Sequence, residues 1–267
     1  MIYTCYDMIR DCRADRAEGW SHFISHYVPV IRRLAVHYFP DEPLDAGRME
    51  HVLVALRRPE SSLFQSLEPA PERWFVAELR QRVLALLEEM AGRPARELEL
   101  DLETLGAALE PLTLAEKQAV WLETMRYAPP QAGVLLRMDP RTIEKIRGKA
   151  AERLRAQMDT WRLTLLGDNG PLLGRLAAGA RIESCLPAKS FLDVLDGRTT
   201  WRGREELERH VHGCWHCIDH FCRLAEVIEL LRGVQPLPDV EAAPLRAALG
   251  IAVPKKGRWA RWLGGGA

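Results

Sequence analysis

The chain has 267 residues, 47% hydrophobic and 28% charged, and its 37 lysines and arginines balance 37 acidic side chains. Zero net charge excludes a global field that draws in nucleic acid or membrane, so any such attraction must come from a local patch. The length suits two or three small domains better than one helical core, and no apolar run approaches the ~20 residues of a membrane span. Met1 to Arg16 is charged rather than signal-like. Six cysteines, three of them within nine residues, suggest metal binding in a reducing compartment rather than a disulfide framework. The expectation is a cytoplasmic protein.

Strand signals are scarce and three- and four-residue apolar spacing recurs throughout, which predicts an all-α fold. Trp20, Phe23, Ile24, Tyr27, Ile31, Leu34, Ala35 and Tyr38 form the broad stripe of a first helix. Phe39-Pro40-Asp41-Glu42-Pro43 stops it. A second helix is predicted from about Asp45 to Arg57, with a break over Pro59–Ser62. Trp74, Phe75, Leu79, Val83, Leu86 and Leu87 mark a third. Together these give a first domain over residues 1–90. Residues 88–110 carry seven acidic side chains against two arginines, and 91–111 reads as an acidic linker, partly helical at its end.

A second domain is expected over 112–166. Thr113 and Glu116 form a capping box that starts a helix, and Pro129-Pro130 ends it. A short helix follows, carrying Ala132, Val134, Leu135 and Leu136. After the turn Met138-Asp139-Pro140 a basic helix runs from Arg141 to about Trp161, with Asp139 as N-cap and Pro140 at its first position. Residues 141–162 hold seven basic and three acidic side chains. Ile143, Ile146, Ala150 and Leu154 form its inward stripe, which turns Thr142, Lys145, Lys149 and Arg153 outward with Arg141 and Arg147 flanking. Helix, break, short helix, turn, basic helix is the outline of a helix-turn-helix DNA reader. An ordinary charged surface helix is the plain alternative.

Gly167–Gly170 reads as another linker. A third domain, over 180–250, carries His210, Cys214 and Cys217 as H-x3-C-x2-C, with Cys185 25 positions before His210. On one helix, His210 and Cys214 share a face and Cys217 closes the turn. Four N/S donors leave no open position, so the expected cofactor is a structural Zn²⁺. The competing reading is a set of buried thiols on an apolar helix. His212, His216 and His220 read as solvated helix residues, with His212 also a substitute candidate for His210. Cys222 reads as an inert buried thiol, and Cys5 and Cys12 have no assigned role. A short helix is expected over Val240–Leu249. The basic, tryptophan-bearing tail 251–267 reads as disordered, with nucleic acid or a membrane surface as candidate contacts. No H-E-x-x-H, phosphate loop or Ser/His/Asp signature occurs in useful context, so no enzyme is expected.

From Leu112 to Arg155 the chain resembles region 4 of bacterial sigma factors of the extracytoplasmic-function group, which reads the −35 promoter element. F-I-S-H-Y-V-P-V-I-R-R-L-A to E-R-W-F-V-A-E-L-R-Q-R-V resembles a divergent region 2, which in that family holds the polymerase clamp and melts the −10 element. The acidic linker also suits a group that lacks region 3. Where the family carries acidic D-A-E-D-x-x-Q-E, this chain has Asp45-Ala46-Gly47-Arg48-Met49-Glu50-His51, a charge reversal at the clamp contact. The loop for an extruded −10 base falls near Arg57–Gln65, with Phe64 read as core.

Phe191–Gly197 and Glu205–Cys217 resemble the zinc-binding anti-sigma domain, whose fourth helix would be Val240–Leu249. The resemblance implies promoter DNA and core RNA polymerase as partners, together with an intramolecular contact between zinc module and sigma-like domains that gates them in cis. A protein-interaction adaptor that has lost polymerase binding is the alternative.

Overall fold

A computed structural model describes residues 3–59, 62–65, 71–92, 102–157 and 170–251, and these contain helices and no strands. The tail beyond residue 251, the end of the basic helix and residues 93–101 of the acidic linker lie outside the described residues. Among the described residues, no helix is long and apolar enough to cross a membrane. The chain divides into two compact units. The first joins residues up to Leu87 with those from Gly233, and the second is Glu88–Arg232.

The first unit begins with α1 (Cys5–Arg13), which the apolar periodicity did not single out. Thr4 caps it, accepting from the Asp7 N–H while the Asp7 carboxylate receives the Thr4 N–H. α2 (Ala17–Tyr38) and α3 (Ala46–Arg57) follow, the latter capped by Asp45. After α4 (Ser62–Gln65) comes α5 (Glu72–Met90). The predicted stripe of α2 is buried along its length, because a 22-residue helix with this spacing can hide its apolar face only against other elements. Trp20, Phe23, Tyr27, Phe64 and Phe75 form one aromatic cluster, with Trp20 and Phe64 centroids 5.1 Å apart and Tyr27 and Phe75 5.0 Å apart. Phe64 is therefore core.

The last helix, α14 (Asp239–Ala248), packs on α2 and α3. The sequence groups this helix with the zinc segment, but its polar groups find partners in the first unit. The Leu237 N–H donates to Ser25 O at 2.6 Å, Arg32 pairs with Glu241 at 2.7 Å, and Arg57 donates to Leu249 O.

In the second unit, α6 (Leu102–Leu109) precedes α7 (Leu114–Thr124), α8 (Pro129–Leu136) and α9 (Pro140–Gln157). The Thr113/Glu116 capping box is formed at both ends. The Arg141 N–H donates to Asp139 Oδ1 at 2.9 Å, starting α9 where the Asp-Pro pair places it. α8 stops because Arg137 adopts the left-handed region at φ 55°, and the Met138 N–H returns to Gly133 O at 2.8 Å. Gly133 is required there: a Cβ on it would lie 2.7 Å from Met138 O. α7, α8 and α9 pack on one another, and Ile143, Ala150 and Leu154 are buried while Ile146 is half-buried.

Residues 170–231 add α10 (Gly170–Gly179), α11 (Ala188–Leu195), α12 (Trp201–Gly213) and α13 (Trp215–Leu231). α13 is the hub of this unit and packs against α7, α8, α10, α11 and α12. A helix surrounded on all sides must bury all of its faces. Accordingly Ile218, Cys222, Leu224 and Val227 are buried, and so are Asp219, His220, Arg223 and Glu226.

Candidate metal centre and nucleic-acid interface

Cys185, His210, Cys214 and Cys217 converge, with one donor atom from each all within 4.8 Å of one another. Cys185 Sγ lies 3.6 Å from Cys214 Sγ, and His210 Nε2 lies 3.2 Å from Cys217 Sγ. Around a tetrahedral ion with metal–sulfur bonds of ~2.3 Å and metal–nitrogen bonds of ~2.0 Å, donor edges of about 3.5–3.8 Å are required. The cluster fits that size, and three sulfurs with one imidazole match the Cys₃His set of structural zinc.

His210, Cys214 and Cys217 do not share one helix, although their spacing alone suggests it. His210 to Cys217 along an unbroken helix would span a rise of about 10 Å, too far to share one ion. The chain breaks at Cys214, which is extended at φ −128° and ψ 111°, ending α12 and starting α13. His210 thus comes from the last turn of α12, Cys214 from the hinge and Cys217 from the first turn of α13. Cys185 arrives from the turn between α10 and α11, where the Ile182 N–H donates to its sulfur at 3.3 Å. Burial pushes the Cys214 and Cys217 thiols up, and neighbouring sulfurs add to this, while the Cys217 and Leu186 N–H groups favour thiolate. A divalent cation supplies the charge that makes three such thiolates compatible.

The remaining histidines are engaged elsewhere. His212 meets Leu112 O through Nε2 at 3.1 Å and is no ligand substitute. His216 Nδ1 lies 3.0 Å from Ala178 O. His220 is buried rather than solvated, with Phe191 5.1 Å away. Burial first, then the Arg223 cation, lowers its pKa to about 3. His220 is a correction to a solvated reading, because α13 is enclosed at that position, whereas His216 is half-buried. Cys222 is fully buried outside the donor cluster.

A seam of polar side chains joins the metal segment to α7, the turn after it and the C-terminal end of α8. Lys117 Nζ donates to His212 O at 2.9 Å, and Trp121 Nε1 donates to Asp219 Oδ1 at 3.1 Å. Tyr127 donates to Glu226, and Arg137 donates to Leu195 O at 2.6 Å. Trp121 and Trp215 lie 5.5 Å apart, ring to ring. Asp219 and Arg223 make an ion pair at 2.6 Å, though the geometry at Arg223 Nε is that of a charge contact and not of a hydrogen bond. Lys117, Asp219, Arg223 and Glu226 are all buried. None of these was singled out from the sequence. The available signal was a set of charges at helical spacing on an otherwise apolar segment.

On α9, Arg141, Thr142, Lys145 and Lys149 are exposed. Arg147 is turned inward: it donates to Ala119 O at 3.2 Å and to Tyr127 O at 2.8 Å, and Glu123 lies 3.6 Å away. Arg153 is exposed but pairs with Glu116 at 2.8 Å and reaches Pro111 O at 3.1 Å, so it braces the capping box. The candidate contact surface therefore narrows to Arg141, Thr142, Lys145 and Lys149. In the segment aligned with the family's clamp contact, Arg48 pairs with Glu42 at 2.8 Å. No family model, curated protein or solved structure matches this chain.

Proposed function

We propose that the chain is a sigma-like, DNA-reading regulator of transcription initiation whose helix-turn-helix is built together with a structural zinc centre. The observation that carries the reading is the exposed face of α9. Three cations and a hydroxyl, Arg141, Lys145, Lys149 and Thr142, stand on it, while the zinc helices pack on α7 and α8. Long cationic side chains on such a helix meet phosphates, and those near its N-terminus reach base edges in the major groove. The partners are promoter DNA of the −35 type and core RNA polymerase, and the role is binding rather than catalysis.

Control in cis is part of the proposal. α14 occupies α2 and α3, the helices aligned with the polymerase-binding region, and Arg57 is held by both Asp15 and Leu249 O. Full-length protein is tested for duplex binding across a salt series and for retention on core RNA polymerase. Lys145→Ala should lower affinity and reduce the salt slope by about 1. Leu245→Asp, which places a charge at a buried position of α14, should raise polymerase retention. An unchanged salt slope refutes DNA reading by α9, and unchanged retention refutes control by α14. Arg48 and His51, standing where the resembled clamp contact carries a carboxylate and a glutamine, favour an adaptor instead. Absence of polymerase binding in both the parent and Leu245→Asp would select that reading.

A further inference from the structure

We propose that the metal centre and the helix-turn-helix are one cooperative element, so that metal bound at Cys185, His210, Cys214 and Cys217 holds α7 in place. The residues lying between the ligands carry the inference. His212, between His210 and Cys214, makes two contacts with the reader block: Nε2 to Leu112 O at 3.1 Å, and its own carbonyl to Lys117 Nζ at 2.9 Å. Trp215, between Cys214 and Cys217, lies 5.5 Å from Trp121, and the Lys117 ammonium sits 5.9 Å from the Trp215 ring centroid. Just after Cys217, Asp219 accepts the Trp121 indole N–H. Each gap between the last three ligands thus grips the same helix.

The ion determines whether those grips exist. α12 and α13 meet at an extended hinge, Cys214, and three half-buried or buried sulfurs crowd there. Without a cation the bonds that tie the last turn of α12, the hinge and the first turn of α13 to Cys185 are absent, and the hinge relaxes. Lys117, Trp121 and the Leu112 carbonyl then lose their partners together. Metal loss would loosen the DNA reader instead of uncovering it, so the zinc segment is a permanent part of the reader and not a removable cap. By linkage, damage at α7 must weaken metal binding by the same factor by which metal loss weakens α7.

The test uses full-length protein, zinc-loaded and chelator-stripped, with amide hydrogen exchange read by peptide. Stripping should cut protection by at least about tenfold in residues 114–124 as well as in 201–231, while residues 17–38 keep theirs. In competition with a chromophoric chelator, Lys117→Met and His212→Ala should each lower zinc affinity by about 5–150-fold. Arg155→Ala, exposed on α9, should leave zinc affinity unchanged. Unchanged protection of 114–124 after stripping overturns the proposal, as does parental zinc affinity in both α7-seam variants. The inference rests on the DNA-reading proposal only in a final arm, duplex binding with and without zinc. Coupled exchange without any duplex binding sinks the DNA reading and leaves the coupling standing. Duplex binding that is equal in both states overturns the coupling.

Discussion

Replacing Asp219 by alanine tests the seam most directly. The carboxylate is 2% exposed, accepts the Trp121 indole N–H at 3.1 Å and lies 2.6 Å from Arg223, itself 4% exposed. Asp219→Ala strands a buried guanidinium, a change that costs about 3–5 kcal/mol in general. The orphaned indole donor falls within that figure, because the two partners share one carboxylate and their losses do not add. At about 2–4 °C per kcal/mol for a unit of this size, the melting temperature of the second unit should fall by roughly 6–20 °C. A two-unit chain does not report one unfolding free energy. The assay is therefore denaturant unfolding of zinc-loaded protein followed by pulse-labelling mass spectrometry, with peptides from α7 and α13 read separately from those of α2. The double variant Asp219→Leu/Arg223→Met removes both charges and should recover most of the loss, since well-packed apolar pairs replace buried ion pairs at little cost. A single-variant loss below about 1 kcal/mol, or a double variant no better than the single, would refute the argument.

Three further outcomes are expected. His22, stacked on His26 at 3.9 Å and near Tyr3, has its pKa lowered to about 4, by burial first and then by the neighbouring imidazole. Between about 4 and the ordinary value of 6.5 the unfolded chain binds the proton that the folded unit refuses. Stability of the first unit from this group is therefore complete above 6.5 and is lost as pH falls toward 4. His22→Gln should flatten that part of the stability–pH curve, and an unchanged curve counts against the assignment. Arg147→Ala should destabilise the second unit by about 1–3 kcal/mol without changing the salt slope of DNA binding, because its guanidinium caps two backbone carbonyls. A reduced slope with intact stability would return Arg147 to the DNA-facing set. Gly133→Ala should cost about 1–3 kcal/mol in chemical denaturation, since the new methyl meets Met138 O at 2.7 Å and the α8–α9 turn must open. Wild-type stability would show that the turn yields freely.

Local chemistry was legible along the chain wherever neighbours in sequence decide the outcome. The Thr113/Glu116 capping box, the Asp139-Pro140 start of α9 and the apolar stripe of α2 depend on spacing within one helix, and each formed as expected. The four metal donors were also identifiable as a set, because their residue types and separations are unusual.

Contacts between distant segments were decided by the tertiary structure alone. Arg147, four residues after Ile143 and three before Ala150, borders the buried stripe while Lys145 points away from it, but that it is spent on carbonyls of α7 and its following turn is visible only in the packed structure. His220 reads as polar and solvated until α13 is enclosed by five other helices. The hinge at Cys214 escaped because a continuous helix satisfies the local pattern equally well; only the demand that donors about 10 Å apart along an axis share one ion breaks it. Sequence spacing therefore chose the four candidate donors and placed the start of the basic helix. That Lys117, Asp219, Arg223 and Glu226 are spent inside followed from the packing of α13 against its neighbours, α7 among them.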